Sequence, residues 1–298
     1  MKYCGQVVVT LTDDNILQHH SLLRILCQQW PDIPAEYWKI EPLTGLTQGS
    51  YYITDGVRQM IGRAQTIHNR TLGVNRWREK QILRRLSTSD IAPKVIAMNE
   101  RWLLLKWVTG EKVISTTLSQ PALLQSLAQT ISVLHRHPPM GYPLKLKQQI
   151  ASQWQQIDRN RLSPSWLHLH KLFMTARMPA ALKIAPDHMD IHSDNLLITD
   201  KGIKLIDWEY AADVDIGLSL AVLFNGNQWD EIQQQTFLNY YCIQASGYSD
   251  IQRLQQQIKR WEPWVRYMML MWYEVRWQQT REQQFLSLVA PLRHSFKL

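Results

Sequence analysis

The sequence predicts an α+β chain of two lobes, a small β-rich one followed by a larger one that is mostly helical. Three observations carry this. Turn signals crowd residues 38–65, at Pro42, Gly45, Gly49, Asp55-Gly56 and Gly62, between short runs such as Tyr51-Tyr-Ile and Gln59-Met-Ile. Beyond Gly110 apolar residues recur at helical spacing for most of the chain. One pair of short strands, Leu196-Leu-Ile-Thr and Ile203-Lys-Leu-Ile, interrupts that half around the turn Asp200-Lys-Gly202. The order predicts lobes at 1–109 and 110–298 with a ligand cleft between them.

Taken in order, the first element is a helix. Thr12 or Asp13 can cap it, Leu and Ile recur at 16, 17, 22, 23, 25 and 26, and Pro31 ends it. Antiparallel strands fill 38–65. A charged amphipathic helix runs from Asn75 to Leu86, and Pro93-Lys-Val-Ile-Ala and Trp102-Leu-Leu-Leu-Lys-Trp-Val read as two more strands. Helices follow near 120–136, 145–157 and 165–177, and again from about 216 to 295.

Composition narrows the class of protein. In 298 residues, 45% apolar and 19% charged describe a globular chain rather than a disordered one. The formal charge of +8 invites an anionic partner, but Lys and Arg are dispersed and no zinc-finger or recognition-helix pattern occurs. A solvated basic face is the better reading, with no nucleic-acid partner. Cys4, Cys27 and Cys242 form no CxxC pair and suggest no disulfide framework, which suits a reducing compartment. No run approaches the ~20 apolar residues of a membrane span. The expectation is a cytoplasmic monomer.

The chemistry is concentrated between His188 and Glu209. His188, Asp190 and His192 alternate, so an extended chain would aim all three to one side, an arrangement open to a metal-dependent hydrolase. Asn195 lies five residues after Asp190, Asp207 twelve after Asn195, with the hairpin between. That spacing suits phosphoryl transfer from ATP: one carboxylate takes the acceptor's proton, while an amide oxygen and a second carboxylate offer hard ligands to Mg²⁺. A non-catalytic binder would have no need of all three.

These residues resemble the HxDxxxxN and I-D-[WF]-E segments of the aminoglycoside phosphotransferase and choline kinase superfamily, a likeness that covers essentially the whole chain. It implies a protein-kinase-like fold, with ATP and Mg²⁺ as cofactors. Asp190 would be the catalytic base, Asn195 and Asp207 the metal ligands, and His192 a phosphate contact. His188 would pack beneath the loop, and Asp215 would brace it. On the nucleotide side, the strand–turn–strand at Leu43–Ile53 can offer backbone N–H groups from Gly45 and Gly49 and the Ser50 hydroxyl to phosphate. By resemblance, Arg63 stands where a strand lysine is usual, Glu79 would pair with it, and Lys106, Trp107 and Val108 would form the adenine hinge.

The acceptor is expected at the C-terminal helices. Pro263 suits a first helical turn, which would put Trp261, Trp264, Met268 and Trp272 on one face. For Trp264 and Met268 that face is core. Tyr273, Glu274 and Trp277 lie on the neighbouring face, where a carboxylate among rings would suit a flat cation. Glu209 and Trp272 are counted with them as acceptor contacts. Lys259-Arg-Trp-x-Pro-Trp and Trp272-Tyr-Glu-x-Arg-Trp-x-Gln-Thr280 resemble the bacterial thiamine kinase branch of the superfamily. That likeness implies thiamine as the small-molecule acceptor, with choline or an aminoglycoside as the alternative.

Overall fold

A computed structural model describes residues 13–43, 49–244 and 248–298. Its contacts divide the chain into two units. The first draws on residues up to Thr66 and on Lys94–Trp107; the second takes Ile67–Pro93 and Val108–Leu298.

In the first unit a helix, α1 (Asp13–Gln29), accompanies a five-stranded antiparallel sheet of β1 (Lys39–Pro42), β2 (Ser50–Thr54), β3 (Gln59–Ala64), β4 (Val95–Met98) and β5 (Trp102–Lys106). The spatial order is β1-β2-β3-β5-β4. Leu22, Ile25 and Leu26 of the helix bury against Ile53, Met60, Ala64, Trp102 and Leu104 of the sheet. Each of the Leu, Ile and Met side chains among them contributes roughly 1.5–3 kcal/mol when withdrawn from water. Gly62 permits this approach, because a Cβ there would stand 2.8 Å from the Ile53 side chain. Thr12, one of the two expected caps of the helix, lies outside the described residues.

The second unit begins with α2 (Ile67–Thr71) and α3 (Arg76–Arg85), the latter capped by Asn75, whose side chain accepts the Arg78 N–H at 3.0 Å. This segment, counted with the first lobe in the sequence, clusters with the helical part of the chain. Then come β6 (Glu111–Lys112), α4 (Pro121–Arg136), α5 (Leu146–Trp154) and α6 (Pro164–Thr175). Pro121 and Pro164 both sit in first turns, where a missing N–H costs nothing.

The site-bearing elements follow. β7 (Ile184–Asp187) leads into the loop at 188–195, and β8 (Leu196–Thr199) and β9 (Gly202–Leu205) form the expected hairpin. Gly202, at φ 103°, supplies the positive dihedral the tight turn requires. β10 (Ala212–Asp215) returns antiparallel to β7. The nearly all-apolar α7 (Ile216–Gly226) packs on a long α9 (Ile251–Thr280), with α8 (Glu231–Asn239) between them in sequence and α10 (Gln283–Ser295) last.

Pro263 does not begin a helix. It lies in the middle of α9, whose start is set by Asp250 accepting the Arg253 N–H at 2.9 Å. The proline is tolerated because Trp261, Trp264, Val265 and Tyr267 around it are all buried, so packing outweighs one lost backbone bond.

Candidate active site

The loop after β7 is shaped by its own side chains. Asp187, the last residue of the strand, accepts the Met189 N–H at 2.8 Å, and Met189 takes a left-handed backbone at φ 65°. That turn breaks the extended run which would have aimed His188, Asp190 and His192 together. His188 is instead fully buried, edge-on to Trp208 at 4.8 Å, with Nε2 2.7 Å from the Ile206 carbonyl. A carbonyl only accepts, so Nε2 carries the proton and donates. Burial holds this imidazole below its ordinary pKa, against the opposing charges of Asp190, Asp187 and Asp207. His188 is therefore a neutral tie between the loop and the segment leading to Asp207, and the three-ligand metal reading fails on this geometry. Among the described residues no group of three or more His, Cys, Asp or Glu is placed to hold a metal.

Asp190, His192 and Asn195 do meet. The Asn195 amide nitrogen lies 2.9 Å from the Asp190 carbonyl oxygen, 3.2 Å from its carboxylate and 3.1 Å from His192 Nε2. With that nitrogen spent on Asp190, the hard Oδ1 is the atom Asn195 can offer elsewhere. The Asp190 and His192 side chains keep 38% and 36% exposure, so both can reach a ligand. Burial lowers the His192 pKa, but the nearby carboxylates, Asp190 first, outweigh it and carry the net value upward. Ile206 N donates to the Asn195 carbonyl at 2.9 Å, joining the loop to the approach to Asp207, itself left-handed at φ 67°.

One residue that the sequence reading did not single out belongs here. Tyr210, three residues past Asp207, receives the Trp272 Nε1–H on its hydroxyl at 2.9 Å. Burial raises its pKa well above normal, and the charges of Glu209, Asp190 and Asp207 push the same way. Burial and the Asp190 charge likewise raise Tyr273. Tyr210, Trp272 and Tyr273 thus form an aromatic wall, with the Asp190 carboxylate acting on both tyrosines. Trp272 and Tyr273 touch edge to face at 5.4 Å.

Other expected acceptor residues face different partners. Glu274 is fully buried, and both its oxygens are taken: Arg161 binds through Nε at 2.5 Å and Nη2 at 2.7 Å, and Arg293 through Nη1 at 2.8 Å. It clamps α9 to α10 and to the segment before α6. Glu209 is also buried and pairs with Arg76 at 3.0 Å, the same guanidinium that holds Glu79 at 2.7 Å. One face of Trp277 carries the Arg281 guanidinium, 5.4 Å from the ring centre. Asp215 does not reach the loop: it accepts Leu182 and Lys183 N–H on one oxygen and Gln257 and Trp261 on the other. It braces the entry to β7.

In the first unit the sheet register places Ser50 directly across from Arg63, which is 2% exposed. Gly49 has φ 88°, and its carbonyl accepts the Ala64 N–H at 2.8 Å. Gly45 lies outside the described residues. The N–H groups of Lys106 and Trp107 are used within the sheet, on Lys94 and Gln59 carbonyls at 2.8 and 3.1 Å, and Trp107 packs on Tyr52. Val108 opens the second unit's main segment and is half-buried.

A sequence profile described as a phosphotransferase enzyme family matches residues 39–256. The chain belongs to that family and is a phosphoryl-transferring enzyme. More particularly, it is 36% identical over 200 residues to a thiamine kinase of Salmonella paratyphi B, a match spanning 67% of this chain and 69% of the relative. Among solved structures, a choline kinase from Streptococcus pneumoniae superposes with a TM-score of 0.72 at 16% identity, covering 93% of this chain and 99% of that one. An ethanolamine kinase from Plasmodium vivax gives 0.73 at 17%, covering 99% and 92%. The choline kinase is also known in complex with AMP, at a TM-score of 0.70 and 16% identity, covering 92% of this chain and 97% of that one. These structures share the expected kinase-like α+β fold.

Proposed function

We propose that the chain is an ATP-dependent kinase that phosphorylates the primary hydroxyl of thiamine, giving thiamine monophosphate. The observation that carries this reading is the 36% identity to a thiamine kinase, joined to the convergence of Asp190, His192 and Asn195 in one loop. The acceptor hydroxyl yields its proton to Asp190 as its oxygen bonds to the γ-phosphorus. The bond from that phosphorus to the β–γ bridging oxygen breaks, and ADP leaves. His192, its Nε2 3.7 Å from the Asp190 carboxylate, presents its ring beside the transferring group. Asn195 Oδ1 and the Asp207 carboxylate are the hard oxygens suited to Mg²⁺, which when bound neutralises phosphate charge.

Tyr210, Trp272 and Tyr273 provide ring faces for a flat cation close to Asp190. Thiamine fits: its thiazolium is such a cation, and its aminopyrimidine can stack. Glu209, Glu274 and Trp277 then support this wall from behind through their arginine partners. ATP phosphates fall to Gly45, Gly49, Ser50 and Arg63, and adenine to the stretch Lys106, Trp107 and Val108. On this reading residues 1–109 form the nucleotide lobe and 110–298 the catalytic and acceptor lobe of a cytoplasmic monomer.

The test is a panel of ATP and Mg²⁺ with thiamine, choline, an aminoglycoside or no acceptor. Phosphorylation of thiamine above the others is expected. Turnover of choline or the aminoglycoside alone would move the activity to that acceptor, and no product with any of them would overturn it.

A further inference from the structure

Behind the loop lies a set of buried polar groups that proton transfer at Asp190 leaves unused. Asp187 is 2% exposed, with His135 of α4, Ser219 of α7 and Tyr241 buried around it. Its two oxygens serve different partners. Oδ1 takes the Met189 N–H at 2.8 Å; Oδ2 takes the Ser219 hydroxyl at 2.8 Å and lies 3.4 Å from His135 Nε2. His135 is also 3.1 Å from Ser219 Oγ, and its Nδ1 lies 2.8 Å from the Tyr241 hydroxyl.

The loop is pinned at successive points. His188 bonds the Ile206 carbonyl, Asn195 holds the Asp190 carbonyl and Asn227 the Ile191 carbonyl at 2.7 Å. The Met189 amide is held by Asp187. Met189 is the point that needs holding most, since a left-handed backbone costs a non-glycine residue roughly 1–2 kcal/mol. A buried carboxylate is itself expensive to keep out of water. If 187 only filled space, an apolar side chain would serve and would avoid that cost, but it would leave the Met189 N–H without its acceptor.

We infer that Asp187 is a positioning residue: anchored from behind by Ser219 and His135, its carboxylate fixes the turn at Met189 and thereby the direction in which Asp190 leaves the loop. The inference rests on the reading of Asp190 as the base. Asp215, braced against the entry to β7 and α9, does not perform this task. Misplacing a reacting group by an ångström can cost on the order of 10²-fold in rate, so the effect belongs to turnover and not to binding.

The experiment compares Asp187→Leu, Asp187→Asn and Ser219→Ala with wild type, reading kcat, the KM of each substrate, and amide hydrogen exchange across 187–191 without ligands. Asp187→Leu should lose about 10- to 100-fold in kcat with both KM values within about twofold, and should exchange faster at 189. Asp187→Asn keeps an oxygen for the Met189 N–H and should recover most of the lost turnover. Ser219→Ala should fall a few-fold in kcat and show partly faster exchange. Wild-type kcat in Asp187→Leu, or a loss carried by KM, overturns the inference. If Asp187→Leu does not fold, Ser219→Ala decides: unchanged kcat and unchanged exchange at 189 overturn it. If wild type turns over no acceptor, the functional reading fails by itself and exchange at 189 in Ser219→Ala still decides the placement of the turn.

Discussion

The loop at 188–207 and the last turns of α9 were both expected to carry function, and they are built in opposite ways. In the loop, Asp190 and His192 stay partly exposed and the chain is aimed by bonds to backbone: Asp190 by the buried Asn195, and Asn195 by Ile206. In α9, Tyr273 and Glu274 are neighbours in sequence, but a helix turns about 100° per residue. One therefore faces the aromatic wall and the other is buried beneath two arginines. The loop leaves carboxylate and imidazole open to a ligand; α9 keeps the Glu274 carboxylate buried.

Removing Asp190 should break this contrast most visibly if it is false. Asp190→Ala is expected to lower kcat by about 10²–10⁴-fold while thermal unfolding stays near wild type, since the side chain is over a third exposed. A substantial fall in melting temperature with turnover retained would reverse the roles assigned to the two regions. Glu274→Gln should do the opposite. Leaving two partly buried guanidiniums poorly matched should cost about 3–5 kcal/mol of stability in a denaturant titration, with kcat per folded molecule within about threefold. A large rise in the acceptor KM without loss of stability would restore Glu274 to the acceptor site.

Tyr210→Phe sharpens the border between them. It removes the hydroxyl that receives Trp272 and should raise the acceptor KM about fivefold, roughly 1 kcal/mol, with the ATP KM unchanged. Equal KM values for both proteins would remove Tyr210 from the acceptor wall.

The smallest effect lies at His170, stacked on Trp154 at 3.8 Å and 2.8 Å from the Tyr267 hydroxyl of α9. Burial sets its pKa below the ordinary value of 6.5. The unfolded chain therefore takes up the proton first as pH falls. The contribution of His170 to stability is complete above about pH 6.5 and declines below it, and His170→Phe should flatten that decline in melting temperature. His188 shifts in the same direction, so part of the slope will remain.

The contrast also explains what could be read from the sequence. The spacing from Asp190 to Asn195 to Asp207 survives folding because a two-strand hairpin joins the parts, and hairpins have strong local signals. The same locality made α3, α4 and α6 readable. The β7–β10 pair escaped notice: Ile184-Ala-Pro-Asp shows no apolar alternation, Ala212-Asp-Val-Asp alternates over only four residues, and the two strands are distant in sequence. Asp187, His135 and Ser219 are joined across separations of 52 and 32 residues, with no motif to announce them. Glu209 and Glu274 looked available because a carboxylate's partner is a tertiary fact; each found its arginine on another element.

The left-handed turn at Asp207 has a consequence for anyone altering the enzyme. Asp and Asn tolerate that backbone better than longer side chains do. Asp207→Asn therefore isolates the loss of a negative charge. Asp207→Glu, the more conservative swap on paper, lengthens the side chain and disfavours the turn in one stroke. At Met189 a β-branched replacement would meet the same barrier. Around this loop, mutational tolerance is a matter of backbone handedness first and of side-chain likeness second.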